Sequence, residues 1–189
     1  MLRVSVLALA LACSPACLVL SLHPAYDGET IASEPSLAGS WVNAEDKVTL
    51  EVEPAEWRSY RITYVHPIET AVVTGYLTAI GDHRYLDVMP ARGEDRGSLV
   101  VPAHAVLRVR LEDDRLELTP LSYDWFADLR RAHRRTAGLD VEADQKENAL
   151  IVSQTARLRA WLRAQPTEGP MFGAPAVFTR ARAATAGMR

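Results

Sequence analysis

Cysteine is almost missing from this chain of 189 residues: there are two, at positions 13 and 17. Neither a disulfide scaffold nor a thiolate metal cluster can be built on them. An excess of one charge is missing too. Twenty-one basic residues stand against 24 acidic ones, for a net charge of −3. That excludes a nucleic-acid partner held by bulk positive charge and argues against a disordered acidic chain. There is no His-x-His, His-Glu-x-x-His or Gly-x-Ser-x-Gly, and no glycine-rich loop leading a strand into a helix. The common signatures of zinc hydrolases, serine nucleophiles and phosphate binders are therefore lacking. His23, His66, His83, His104 and His133 would have to converge from remote positions to hold a metal. His104, between Ala103 and Ala105 in an apolar context, reads as a partly buried histidine with one hydrogen bond. The acidic pairs Glu45-Asp46 and Asp113-Asp114 fall in predicted turns, where carboxylates are ordinarily solvated. The expectation is a protein without catalytic residues, metal or cofactor. What is present is ordinary: 48 % apolar and 24 % charged residues, on a length that suits one domain.

The N-terminus has the form of an export signal. Met1-Leu2-Arg3 is followed by 19 uncharged residues, Val4 to Leu22, and the first acid is Asp27. An uncleaved membrane anchor is the rival reading, since about 20 apolar residues span a bilayer. Pro15, flanked by Ser14 and Ala16, interrupts such a helix and suits the extended stretch at a cleavage site. A small residue precedes each cysteine, Ala16 before Cys17 and Ala12 before Cys13. The arrangement resembles the processing site of bacterial lipoproteins, although the leucine usual three positions upstream is absent at both. The resemblance implies Cys17 as the lipidated residue, with Cys13 the alternative. A cut before Cys17 leaves a leader within the usual range of roughly 15–30 residues. It also implies a soluble body held on the bacterial envelope by acyl chains, each CH₂ contributing about 0.8 kcal/mol on burial. Leu18 in place of an aspartate after that cysteine implies the outer membrane in a diderm host.

Along the chain we expect a leader over 1–16, a lipidated linker over 17–37, a folded domain over 38–165 and a flexible tail over 166–189. Period-two alternation marks the strands: Val48, Leu50 and Val52; Tyr60, Ile62 and Tyr64; Val73, Gly75 and Leu77. Gly81-Asp82 turns the chain into Tyr85–Met89, and a further hairpin runs from about Pro102 through Asp113-Asp114 to Leu118. The period then becomes helical around Trp125 and Leu129, capped by Ser122 or Asp124, and around Leu158, Trp161 and Leu162, capped by Ser153 or Thr155. Ala149–Val152 between them reads as a late strand that closes the sheet. The fold class is mainly β: an antiparallel barrel or strongly curved sheet with two helices in its C-terminal region.

Gly39-Ser40-Trp41, just before the first strand, resembles the Gly-x-Trp signature of the lipocalin-like superfamily. The resemblance implies a tryptophan closing one end of a barrel, with an arginine from late in the chain packed over its ring; Arg157 is the candidate by position. A second resemblance is carried by Ser21-Leu22-His23-Pro24-x-Tyr26, Leu37-Ala38-Gly39-x-Trp41, Tyr85-Leu86-Asp87-Val88, His104 and Leu121 through Phe126. Together they are similar to a group of bacterial envelope lipoproteins with no established activity. Two functional expectations follow. In one, Ile62, Tyr64, Val73, Leu77, Leu86 and Val88 line a barrel interior that holds a small apolar ligand. In the other, an envelope accessory protein works through surface contacts of Arg130, Arg131, Arg134 and Arg135 with lipid or protein.

Overall fold

Alternating side chains in the middle of the chain need two environments, and the structure supplies both by closing a sheet on itself. The structure is a computed structural model that describes residues 18–91, 101–131, 138–143 and 148–181. Two short strands come first, β1 (Val19–Ser21) and β2 (Ile31–Ala32). A meander follows: β3 (Gly39–Asn43), β4 (Val48–Pro54), β5 (Ser59–His66), β6 (Glu69–Ile80), β7 (His83–Pro90), β8 (Ala105–Glu112) and β9 (Arg115–Pro120). After α1 (Tyr123–Arg131), β10 (Val141–Ala143), β11 (Ala149–Ile151) and α2 (Thr155–Arg163), the chain returns as β12 (Ala176–Arg180).

The ring runs β3-β4-β5-β6-β7-β8-β9-β12, and β12 pairs with β3 to close an eight-stranded antiparallel barrel of lipocalin-like form. β2 adds to the edge of β6 just past the end of β5, with Ile31 opposite Thr78 where Ser59 is opposite Tyr76. Closure removes the free edges that an open sheet of this length would expose.

One residue in two points inward. Leu50, Val52, Ile62, Leu77, Leu86, Val109, Leu116, Leu118 and Phe178 form the barrel core. The outward residues of β6, β7 and β8 meet a second layer: Ile80, Tyr85 and Val106 pack under α1, α2 and the small sheet β1-β11-β10. Phe126, Leu158, Trp161 and Leu162 supply the helical side of that core. The Ser122 hydroxyl caps α1 by accepting from the Trp125 N–H at 3.4 Å.

Several expectations are corrected. Ala149–Ile151 does not close the barrel; it pairs in parallel with β1 and antiparallel with β10 outside it. The closing strand is β12, inside the region expected to be a loose tail, and Phe178 is buried in the barrel. The linker region likewise holds β1, β2 and a 3₁₀ turn over Pro35–Leu37. Neither Ser153 nor Thr155 caps α2. Its first turn begins at Gln154 without a side-chain cap, and the Ser153 hydroxyl accepts the Asp140 N–H at 2.8 Å.

Candidate functional site

The barrel is closed at one end by residues that the glycine–tryptophan pair organises. Trp41 is fully buried and donates its indole N–H to the Leu37 carbonyl at 2.9 Å, drawing the 3₁₀ turn across the opening. The arginine over its ring is Arg180, whose guanidinium carbon stands 4.1 Å from the ring centroid. The same guanidinium donates to the carbonyls of Ala38 at 2.9 Å and Ser36 at 2.5 Å, and its Nε is 3.3 Å from an Asp114 carboxylate oxygen. Gly39 has φ +131°, and a Cβ there would come 2.7 Å from the Arg180 Nη1. Glycine is needed both for the backbone and for the approach of the arginine. Arg157, expected in this role, lies elsewhere: it pairs with Asp140 at 2.7 Å and donates to the Gly138 carbonyl. Position in the chain misled because the last strand, not the last helix, enters the barrel.

Above this floor lies a cavity of about 520 Å³. Its wall includes Leu37, Leu50, Val52, Ile62, Leu86, Leu107, Leu116, Leu118 and Phe178. It opens toward Leu18, Val19, Ala105 and the segment from Pro120 to Asp124, at the end where β5, β7 and β9 finish. The Ile62 and Leu86 side chains pack down over Gly75, where a Cβ would meet Ile62 Cδ1 at 2.8 Å and Leu86 Cδ1 at 3.1 Å. Of the six residues expected to line a ligand site, Ile62, Tyr64, Leu86 and Val88 line this cavity. Val73 and Leu77 belong to the barrel core but not to the cavity wall. The contribution of β9 and β12 was missed. The Leu116-x-Leu118 alternation was a usable signal for β9; a five-residue strand in a glycine- and proline-rich region gave little for β12.

Outside the barrel, three short motifs from distant parts of the sequence meet. Asp87, fully buried, accepts the Ala25 N–H at 2.6 Å through one oxygen and lies 2.6 Å from His104 Nδ1 through the other. His104 exchanges backbone hydrogen bonds of 2.8 Å with Ser21 in both directions. Tyr26 stacks on Tyr76 with centroids 4.3 Å apart. Burial, then the neighbouring Tyr76 and the Asp87 carboxylate, push the Tyr26 hydroxyl up to about 12. Arg159 of α2, buried itself, donates to the Ala25 carbonyl at 2.7 Å and to the Thr78 hydroxyl at 3.1 Å. The cluster is a fastening. It holds the backbone of Ser21 and Ala25 against His104, Asp87 and Arg159, and the buried Ser21 hydroxyl donates to the His23 carbonyl at 2.6 Å. Among the described residues no group of histidine, cysteine or acidic side chains is placed to hold a metal.

The basic cluster is only partly described. Arg131 pairs with Asp128 at 2.6 Å on the exposed face of α1, and Arg130 is the residue before it. Arg134 and Arg135, like Cys13 and Cys17, lie outside the described residues. No helix among the described residues is long and apolar enough to cross a membrane.

In comparison with known proteins, no family model, no curated protein and no solved structure matches the chain.

Proposed function

We propose that this protein is a tethered carrier of one apolar ligand, an exported bacterial lipoprotein anchored through Cys17 whose barrel encloses a molecule about the size of a long acyl chain. The observation that carries the reading is the cavity of about 520 Å³ walled by aliphatic side chains. Left without a ligand, these aliphatic walls would be wetted through the open end, and an apolar molecule that covers them removes that surface from water. A cavity of about 150 Å³ accommodates benzene, which scales to roughly 20 carbons for the space here. The size suits a single chain, not a two-chain lipid swallowed whole.

The test is native mass spectrometry of the full chain released gently from membranes, followed by titration with a fluorescent fatty acid. The reading expects an exchangeable adduct of lipid mass and one displaceable probe per protein. A clean unliganded mass together with no probe binding overturns it. The surface-contact reading has less behind it, because Arg131 already has an acidic partner on its own helix.

A further inference from the structure

The exposed apolar side chains are not scattered. Leu18, Val65, Ile68 and Val101 are 53 %, 39 %, 79 % and 70 % exposed. Antiparallel order places Val65 and Ile68 where β5 turns into β6, and Val101 in the loop that enters β8. Leu18 lines the cavity itself. All four therefore stand at the open end of the barrel. Trp57, the fifth large exposed apolar residue among the described residues, follows β4 at the opposite, closed end.

The same end is where the chain arrives. Leu18 is held there by two hydrogen bonds, its N–H to Asn148 Oδ1 at 3.1 Å and its carbonyl from the Ala149 N–H at 3.0 Å. Residue 17 is one peptide unit away, about 3.8 Å between Cα atoms. We infer that the open end of the barrel is its membrane-docking surface: Leu18, Ile68 and Val101 insert into the interface of a bilayer, and the mouth of the cavity faces the hydrocarbon.

The chemistry of the rim selects the kind of surface. Among the described residues, the charged residues of the turns at this end are mostly acidic, Glu45, Asp46 and Glu69 against Lys47, and Asp124 stands at the mouth. Attraction to anionic headgroups is not what holds it. Docking works by burying side chains that water now covers, on a neutral leaflet, and it is insensitive to salt. A chain leaving the bilayer through such a mouth would enter the barrel without crossing water. Both environments are apolar, so the exchange is close to balanced. The orientation rests on the Cys17 tether; the apolar rim is an independent observation.

The experiment places an environment-sensitive thiol dye at one position at a time in the full chain, through Ile68→Cys, Val101→Cys or Trp57→Cys. The protein is reconstituted in phosphatidylcholine vesicles that carry a quencher on the acyl chains. The dye at 68 and at 101 should shift to the blue and be quenched, at low and at high salt alike, while the dye at 57 stays in water. Equal quenching at all three sites, or none at 68 and 101, overturns the proposal. So does a blue shift at 68 and 101 without vesicles, accompanied by a dimer mass, because the rim would then be an interface between two copies. If the parent chain labels at Cys17, the tether reading fails by itself. The Cys13→Ser, Cys17→Ser background then carries the same three sites, and the docking surface is still expected to seat on the vesicles. In that unanchored form Ile68→Glu with Val101→Glu should lower vesicle partitioning about tenfold or more without lowering fatty-acid binding. Unchanged partitioning would refute the docking surface while leaving the ligand reading intact.

Discussion

Replacing Arg180 by alanine tests how the barrel is closed. The side chain covers the Trp41 ring, donates to two carbonyls of the segment that forms the floor, and approaches Asp114. The stacking contributes about 0.5–2 kcal/mol, and hydrogen bonds from a charged donor about 1.5–3 kcal/mol each. The Ser36 bond is exposed and the Asp114 carboxylate is 82 % exposed, so both are discounted by solvent. A net loss of about 3 kcal/mol remains, or roughly 10 °C in Tm for a domain of this size. Arg180→Lys should recover less than half, because an ammonium cannot stack flat or span two carbonyls. Arg157→Ala is the contrast. Its pair with Asp140 is half-exposed on both sides and should be worth no more than about 1 kcal/mol. Gly39→Ala adds a geometric control. Its Cβ would displace the Arg180 guanidinium, so its cost should shrink by about 1 kcal/mol once Arg180 is already alanine. The measurement is thermal unfolding of the four variants and the Gly39–Arg180 double variant. An Arg180→Ala protein that melts with the parent, or an Arg157→Ala protein that falls as far, would refute the closure described here.

Filling the cavity by Leu86→Trp should separate stability from binding: the ligand-free protein melts at or above the parent, while fatty-acid affinity falls about tenfold or more. A variant that binds as before would show that the ligand sits elsewhere. Removing the buried carboxylate by Asp87→Ala leaves the Ala25 N–H and His104 without their partner and should cost about 3 kcal/mol. Amide exchange at Ala25 and Tyr26 should accelerate, and unchanged exchange there would mean that Asp87 is not the fastening. With the Tyr26 hydroxyl raised to about 12 when folded, against about 10 when unfolded, only the unfolded form loses its proton between these values. Stability therefore declines as pH rises through that window, with none of this effect below about 10. Tyr26→Phe should flatten the decline, read from melts and from phenolate absorbance across the titration.

The alternation of Val48-Leu50-Val52, Ile62-Tyr64 and Leu86-Val88 was sufficient to find the meander, because one-sided burial writes a period of two directly into the sequence. The second set of outward apolar residues, Tyr85 and Val106, carried no such sign. They lie between inward-facing neighbours, and their burial depends on helices that pack on them from far along the chain. Gly39 and Trp41 were legible for a local reason: a positive φ and a large ring at a strand start are set by adjacent residues. Their partner was not, since a guanidinium over a ring is a statement about which distant strand lies beside β3, and five residues of β12 are too few to announce themselves. The clustering of Asp87, His104 and Ala25 had the same cause. Each motif was visible alone, and only the β7–β8 register and the Ser21–His104 bridge bring them within hydrogen-bond reach. Inward-facing positions were likewise fixed by the sequence pattern, yet a pattern cannot say whether eight strands close tightly or around a space. That depends on ring size and on how far inward side chains such as Ile62 and Leu86 reach, a relation between strands that only closure of the barrel decides.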